Sequence, residues 1–157
     1  MQARCRIKPV GAKTELSNAI VFYISAHGFG HASRMIEVIN AILAKRPKTR
    51  IGVRTSVPRW LFDLTVKGHI KYSHLETDTG VVQVDSLTLD EADSIRRASS
   101  FHADLVTRAA SETQQLRAID AGLIVGDIPP LAFAVAASAG LPSIAIGNFT
   151  WDWIYSD

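Results

Sequence analysis

"AIVFYISAHGFGHASRMIEVINAIL", residues 19–43, changes its periodicity half-way along. The run 19–25 is almost continuously apolar, as expected of a strand covered on both faces. Further on, Met35, Val38, Ile39 and Ile42 recur at i, i+3, i+4 and i+7, which is one face of a helix. Between the two lies a short loop in which Gly28 and Gly30 alternate with His27, Phe29 and His31. Strand, glycine turn and helix together form the first half of a βαβ unit, from which parallel sheets are built.

The same alternation continues downstream. Pro47 stops the first helix, and "TRIGVRT" (49–55) reads as a second strand. Ser56 and Pro58 suit the N-cap and first turn of a short helix over 58–66. "HIKYSHLE" (69–76) is a weaker third strand, and 77–90 reads as an irregular hairpin or loop broken by Gly80. Ser99 and Ser100 can cap a long helix whose inner face takes Phe101, Leu105, Ala109 and Leu116, with Gly122 at its end. "LIVGD" (123–127) and "PSIAIGN" (142–148) are two further strands. They flank an alanine-rich helix opened by Pro129–Pro130 and closed at Gly140.

Five strands interleaved with helices predict an α/β fold, a doubly wound, Rossmann-like parallel sheet. The common order 3-2-1-4-5 sets the fourth strand beside the first. Ligands of such sheets bind beyond the carboxyl ends of the strands, where the order reverses. The loops carrying His31 and Asp127 would then border one crevice.

The bulk properties set limits on the function. The chain has 157 residues, enough for one domain, with 18–157 as that domain and 1–17 as a flexible leader containing Arg4, Arg6, Lys8 and Lys13. A domain of this size buries roughly 70% of its unfolded surface and needs no disulfide staple. The net charge of +2 is too small to indicate nucleic acid, and no basic stripe is interleaved with aromatics. Cys5 is the single cysteine, which excludes an intrachain disulfide and a cysteine-based zinc site. No stretch has the length of a membrane span, and nothing argues for peripheral membrane contact. A cytoplasmic location is the expectation.

Several chemistries compete for the glycine loop. Gly28-Phe29-Gly30-His31-Ala32-Ser33 is a degenerate dinucleotide fingerprint, with Ser33 in place of the third glycine. An NAD site would present an acidic residue after strand 2, where this chain has Arg54-Thr55; Arg54 would suit a 2′-phosphate instead. No Gly-Lys-Ser/Thr follows, so the P-loop pattern is absent. A metal at His27 and His31 would need two more ligands, and none is predicted. An imidazole at a helix N-terminus is favoured in its neutral, proton-accepting form. A carboxylate on its other nitrogen would fix the tautomer, and Asp127 is the candidate. The plainer alternative is that Asp127 caps the helix at Pro129 and His31 fills a first turn.

"GFGHASRM" after a strand resembles the Gly-His loop in the N-terminal domain of GT-B glycosyltransferases, and "LIVGDIPPLAFAVAASAGLPSIAIGN" is similar to that fold's later strand–Asp–helix–Gly–Leu–Pro–strand segment. "HGFGH" and "NFTWDWIY" also resemble the glycosyltransferase-like region of the L-arabinokinase family. The resemblance covers about residues 19–157 and implies the acceptor-side half of a glycosyltransferase. It implies His31 as general base, with Asp127 orienting it. The donor would be a nucleotide sugar, with no further cofactor, and its phosphates would approach Gly28 and Gly30. His27, Phe29, Phe149 and Trp151 would contact a hydroxyl-bearing acceptor. It further implies a donor-binding C-terminal domain beyond this chain, or a sugar kinase to which the region is a non-catalytic binding module. One departure stands out: Arg34 occupies a position where many relatives have proline.

Overall fold

The computed structural model describes residues 18–85 and 88–148. The expected leader at 1–17 and the aromatic residues Phe149 and Trp151 therefore lie outside the described residues. The elements run β1 (Ala19–Ile24), α1 (Phe29–Lys45), β2 (Ile51–Thr55), α2 (Arg59–Thr65), β3 (Ile70–His74), β4 (Val82–Gln83), β5 (Leu89–Asp90), α3 (Glu91–Ala103), α4 (Leu105–Ala118), β6 (Ala121–Asp127), α5 (Pro130–Ala139) and β7 (Ser143–Ala145). Five strands form a parallel sheet in the order β3-β2-β1-β6-β7, and β4 and β5 make a small antiparallel pair.

All six residues of β1 are buried, as its unbroken apolar run requires. Alternate side chains serve opposite faces. Ile20, Phe22 and Ile24 pack under α1 and α2 with Met35, Ile36, Ile39 and Phe62. Val21 and Tyr23 pack under α4 and α5 with Leu116, Leu131 and Val135. The central strand β1 is thus covered on both sides, and the order reverses between β1 and β6. In register, Ile24 pairs with Asp127 at that point, and the Ser25 amide donates to the Asp127 carbonyl at 3.2 Å.

The helices depart from the sequence expectation in three places. The helix assigned to the Ser99–Ser100 cap begins earlier, at Glu91, and divides at Asp104 into α3 and α4. Asp90 is the N-cap, its side chain accepting from the Asp93 amide at 2.8 Å, and Glu91 and Asp93 place negative charge in the first turn. Gly122 does not end α4 but is the second residue of β6; Asp120, at φ 52°, takes the left-handed position. The short helix begins one residue later than expected, with Pro58 at the N-cap, and Thr55 Oγ1 rather than Ser56 accepts the Val57 amide. Strand 142–148 contracts to Ser143–Ala145.

Candidate functional site

The site is built at the carboxyl ends of β1 and β6. Gly28 is the N-cap of α1, at φ 78° and ψ 167°, a region in which essentially only glycine is found. This conformation turns the buried strand sharply into the helix. Gly30 has no such angle and lies in the first turn of α1. A Cβ on either glycine would meet nothing within 4 Å, so the loop is open on the side a ligand would approach.

The turn delivers His31 into the crevice, where it is 8% exposed. Its Nδ1 lies 2.9 Å from Oδ1 of Asp127, which is fully buried. The expected meeting of these two side chains, 96 residues apart in sequence, is therefore observed. Burial alone would raise the Asp127 carboxyl. Hydrogen bonds from His31 and Arg34 outweigh that effect and hold it below the usual carboxylate range. An ionised carboxylate only accepts, so Nδ1 carries the proton and Nε2 is the proton-accepting nitrogen. The alternative in which Asp127 caps α5 is not what the structure has: Pro129 is the N-cap of that helix, without a side-chain cap.

Sequence reasoning missed the third member of the cluster. Arg34 grips Asp127 with two bonds, Nε to Oδ2 at 3.0 Å and Nη2 to Oδ1 at 2.7 Å, while its Nη1 donates to Asn148 Oδ1 at 3.0 Å. Nη2 also lies 3.4 Å from His31 Nδ1. The charge of Asp127 is thus shared between an imidazole and a guanidinium, and the bond to Asp127 in turn holds Arg34 more firmly protonated. A signal was available, since residues three apart on a helix share a face, which places Arg34 beside His31.

The remaining candidates are dispersed. His27 is half-buried under the 77–80 loop, and its ring lies so close to Gly80, at φ 58°, that a Cβ there would come within 2.8 Å of Nδ1. Phe29 is 54% exposed and meets Trp60 edge-on, with centroids 6.0 Å apart, at the mouth of the crevice. Arg54, which would have suited a 2′-phosphate, is 2% exposed. Its Nε donates to Glu112 at 3.0 Å, and Tyr23 donates to the same carboxylate oxygen at 2.8 Å. That pairing withdraws Arg54 from any ribose and removes the NADP-type reading. Among the described residues, no group of three or more His, Cys, Asp or Glu side chains gathers as a metal site, and no helix is long and apolar enough to cross a membrane.

The chain resembles known proteins in sequence and in fold. L-arabinokinase from Arabidopsis thaliana is 34% identical over 140 residues, a match spanning 87% of this chain and 13% of that protein. The chain is similar to a short segment of L-arabinokinase and spans about an eighth of its length. A UGT transferase from Siraitia grosvenorii in complex with UDP has the same fold, with a TM-score of 0.55 and 14% identity over 82% of this chain and 27% of its own. The calicheamicin glycosyltransferase CalG4 aligns with a TM-score of 0.56 and 15% identity over 83% of this chain and 32% of its own. The chain therefore has the Rossmann-like half of a GT-B fold. No family model matches the sequence.

Proposed function

We propose that this domain is the acceptor-side half of a glycosyltransferase. An acceptor hydroxyl is held near His31, Nε2 removes its proton, and the oxygen attacks the anomeric carbon of a nucleotide sugar as the nucleoside diphosphate departs. Asp127 fixes the imidazole and supports the imidazolium that forms. Gly28 and Gly30 leave room for the donor phosphates, while His27, Phe29, Phe149 and Trp151 contact the acceptor. The observation that carries this reading is the 2.9 Å His31–Asp127 contact at the point where the strand order reverses.

Full activity requires a donor-binding half, because GT-B enzymes hold the nucleotide mainly on their other domain. The 157-residue chain by itself is expected to bind nucleotide sugars weakly and to transfer nothing. Calorimetry with a panel of nucleotide sugars, paired with the backbone amide shifts of residues 28–34, tests this; micromolar binding at that loop or measurable transfer refutes it. In a full-length protein carrying the domain, His31→Ala is expected to lower sugar transfer about 10²–10⁴-fold, the usual contribution of a general base. Unchanged transfer would remove His31 from that role.

A second reading rests on the L-arabinokinase similarity: a binding module that accompanies a sugar kinase without turning over nucleotide sugars itself. The Arg34 cation on Asp127 favours it, because a carboxylate already paired gives less support to an imidazolium. Under that reading the full-length protein phosphorylates sugar normally with Ala at position 31 and shows no transfer with either residue.

A further inference from the structure

The opposite end of the sheet has a cleft of its own, about 690 Å³ in volume, at the amino ends of β1, β2 and β3. Its walls are the turn before β2 (47–50), the turn before β3 (68–69) and the end of α4 (Ala118 and Ile119). The apolar layer under α4 and α5 takes Val21, Tyr23 and Ile124 from β1 and β6 and nothing from β2 or β3. At its base Gly52 of β2 is buried, and Val21 and Ile119 Cδ1 lie 3.4 and 3.7 Å from where a Cβ would stand, so Ile119 closes over it. Lys71 is the register partner of Gly52, and Lys48, Arg50 and His69 also line the cleft.

The charge here is one-sided. Between Val38 and Leu75 the sequence holds a single carboxylate, Asp63, and it is paired with Arg59 away from the cleft. Asp120 pairs with Arg50 at 3.0 Å. Among the described residues no carboxylate pairs with Lys48 or Lys71, and no acidic side chain lines the cleft. A cationic rim beside the half-buried Ile119 suits a ligand with an anionic end and an apolar body.

We propose that this cleft is a second binding site, for a phosphate-bearing small molecule of nucleotide size. Its volume lies within the roughly 300–1,000 Å³ usual for such sites. Lysine serves as a point-charge phosphate ligand, and Ile119 packs against the ring of a base. Strands of five residues separate it by about 17 Å from the His31–Asp127 crevice, so one small ligand does not span both. The proposal is independent of the transferase reading.

Backbone amide shifts of the 157-residue chain, followed during titration with ADP, adenosine and inorganic pyrophosphate, test it. ADP is expected to shift Gly52, Gly68, His69 and Ile119 saturably and to bind more tightly than either fragment. Lys71→Glu, or Lys48→Glu, should weaken ADP about tenfold or more, the worth of a charge-assisted hydrogen bond, whereas His31→Ala should leave it unchanged. The same spectra report that each variant is folded. Shifts confined to 28–34 would overturn the proposal while supporting a phosphate site in the crevice. It also fails if pyrophosphate alone accounts for the ADP affinity, if the lysine variants bind as before, or if only anionic phospholipid vesicles bind.

Discussion

Replacing Arg34 by methionine tests whether the His31–Asp127 pair stands by itself. The substitution keeps the aliphatic stem and removes both bonds to a fully buried carboxylate. Breaking a buried ion pair from one side costs about 3–5 kcal/mol. Arg34 is 30% exposed, so water can reach the vacated side of Asp127, and a loss of about 2 kcal/mol is a fairer value. For a domain of this size that lowers Tm by roughly 4–8 °C. The pH dependence has a definite sign. Asp127 is depressed in the folded state, so its contribution is fully present above the unfolded value near 3.9 and is lost as pH falls through the lower folded value. The gap between Arg34→Met and the parent chain should therefore be widest at neutral pH and close in acid. Urea denaturation of the two single variants, Arg34→Met and Asp127→Asn, and of the double variant gives the coupling. A value above about 1 kcal/mol is expected; additivity within about 0.5 kcal/mol would refute the claim that Arg34 and Asp127 act as a unit.

Gly28 and Gly30 should respond in opposite directions to alanine. Gly28→Ala forces a side chain into a backbone region that costs about 1–3 kcal/mol, whereas Gly30→Ala, in a helical turn with open space around it, should stabilise by about 0.5–1 kcal/mol. Thermal melts of both variants check this, and equal shifts would contradict the assigned roles. Glu112→Gln leaves the Arg54 cation buried without its counter-charge and should cost about 3–5 kcal/mol, with most of it recovered in Glu112→Gln/Arg54→Met. Chemical denaturation in which the double variant is no better than the single one would argue against the pairing as the source of the loss.

The strands and the His31–Asp127 meeting were legible because each rests on a local signal combined with a general rule of topology. Continuous apolar runs mark central strands, and the rule for ligand sites in parallel sheets supplied the rest. The α3 boundary was misread because Ser99–Ser100 before Phe101 imitates a cap, while the working cap, Asp90 with Asp93, adjoins a segment with little periodicity. Arg34 was passed over, and Arg54 misjudged, for a deeper reason. Their partners lie 93 and 58 residues away, and a cation reads the same in sequence whether it faces a ligand or a buried carboxylate. Gly126 is a related case: a Cβ there would come within 2.9 Å of Ala132 Cβ, a constraint visible only once α5 lies against β6.

Helix α1 supplies both His31 and Arg34 to Asp127 and, along its length, Met35, Ile36, Ile39 and Leu43 to the core. With side chains about 5–6 Å from the axis, a roll of about 10° carries a side chain roughly 1 Å. The 2.9 Å contact would then lie beyond hydrogen-bond range, while the longer Arg34 chain could still follow its partner. A methylene removed beneath α1, far from any ligand, would thus act as a chemical lesion. The carboxylate would pass from imidazole to guanidinium, with little change in the overall shape of the protein.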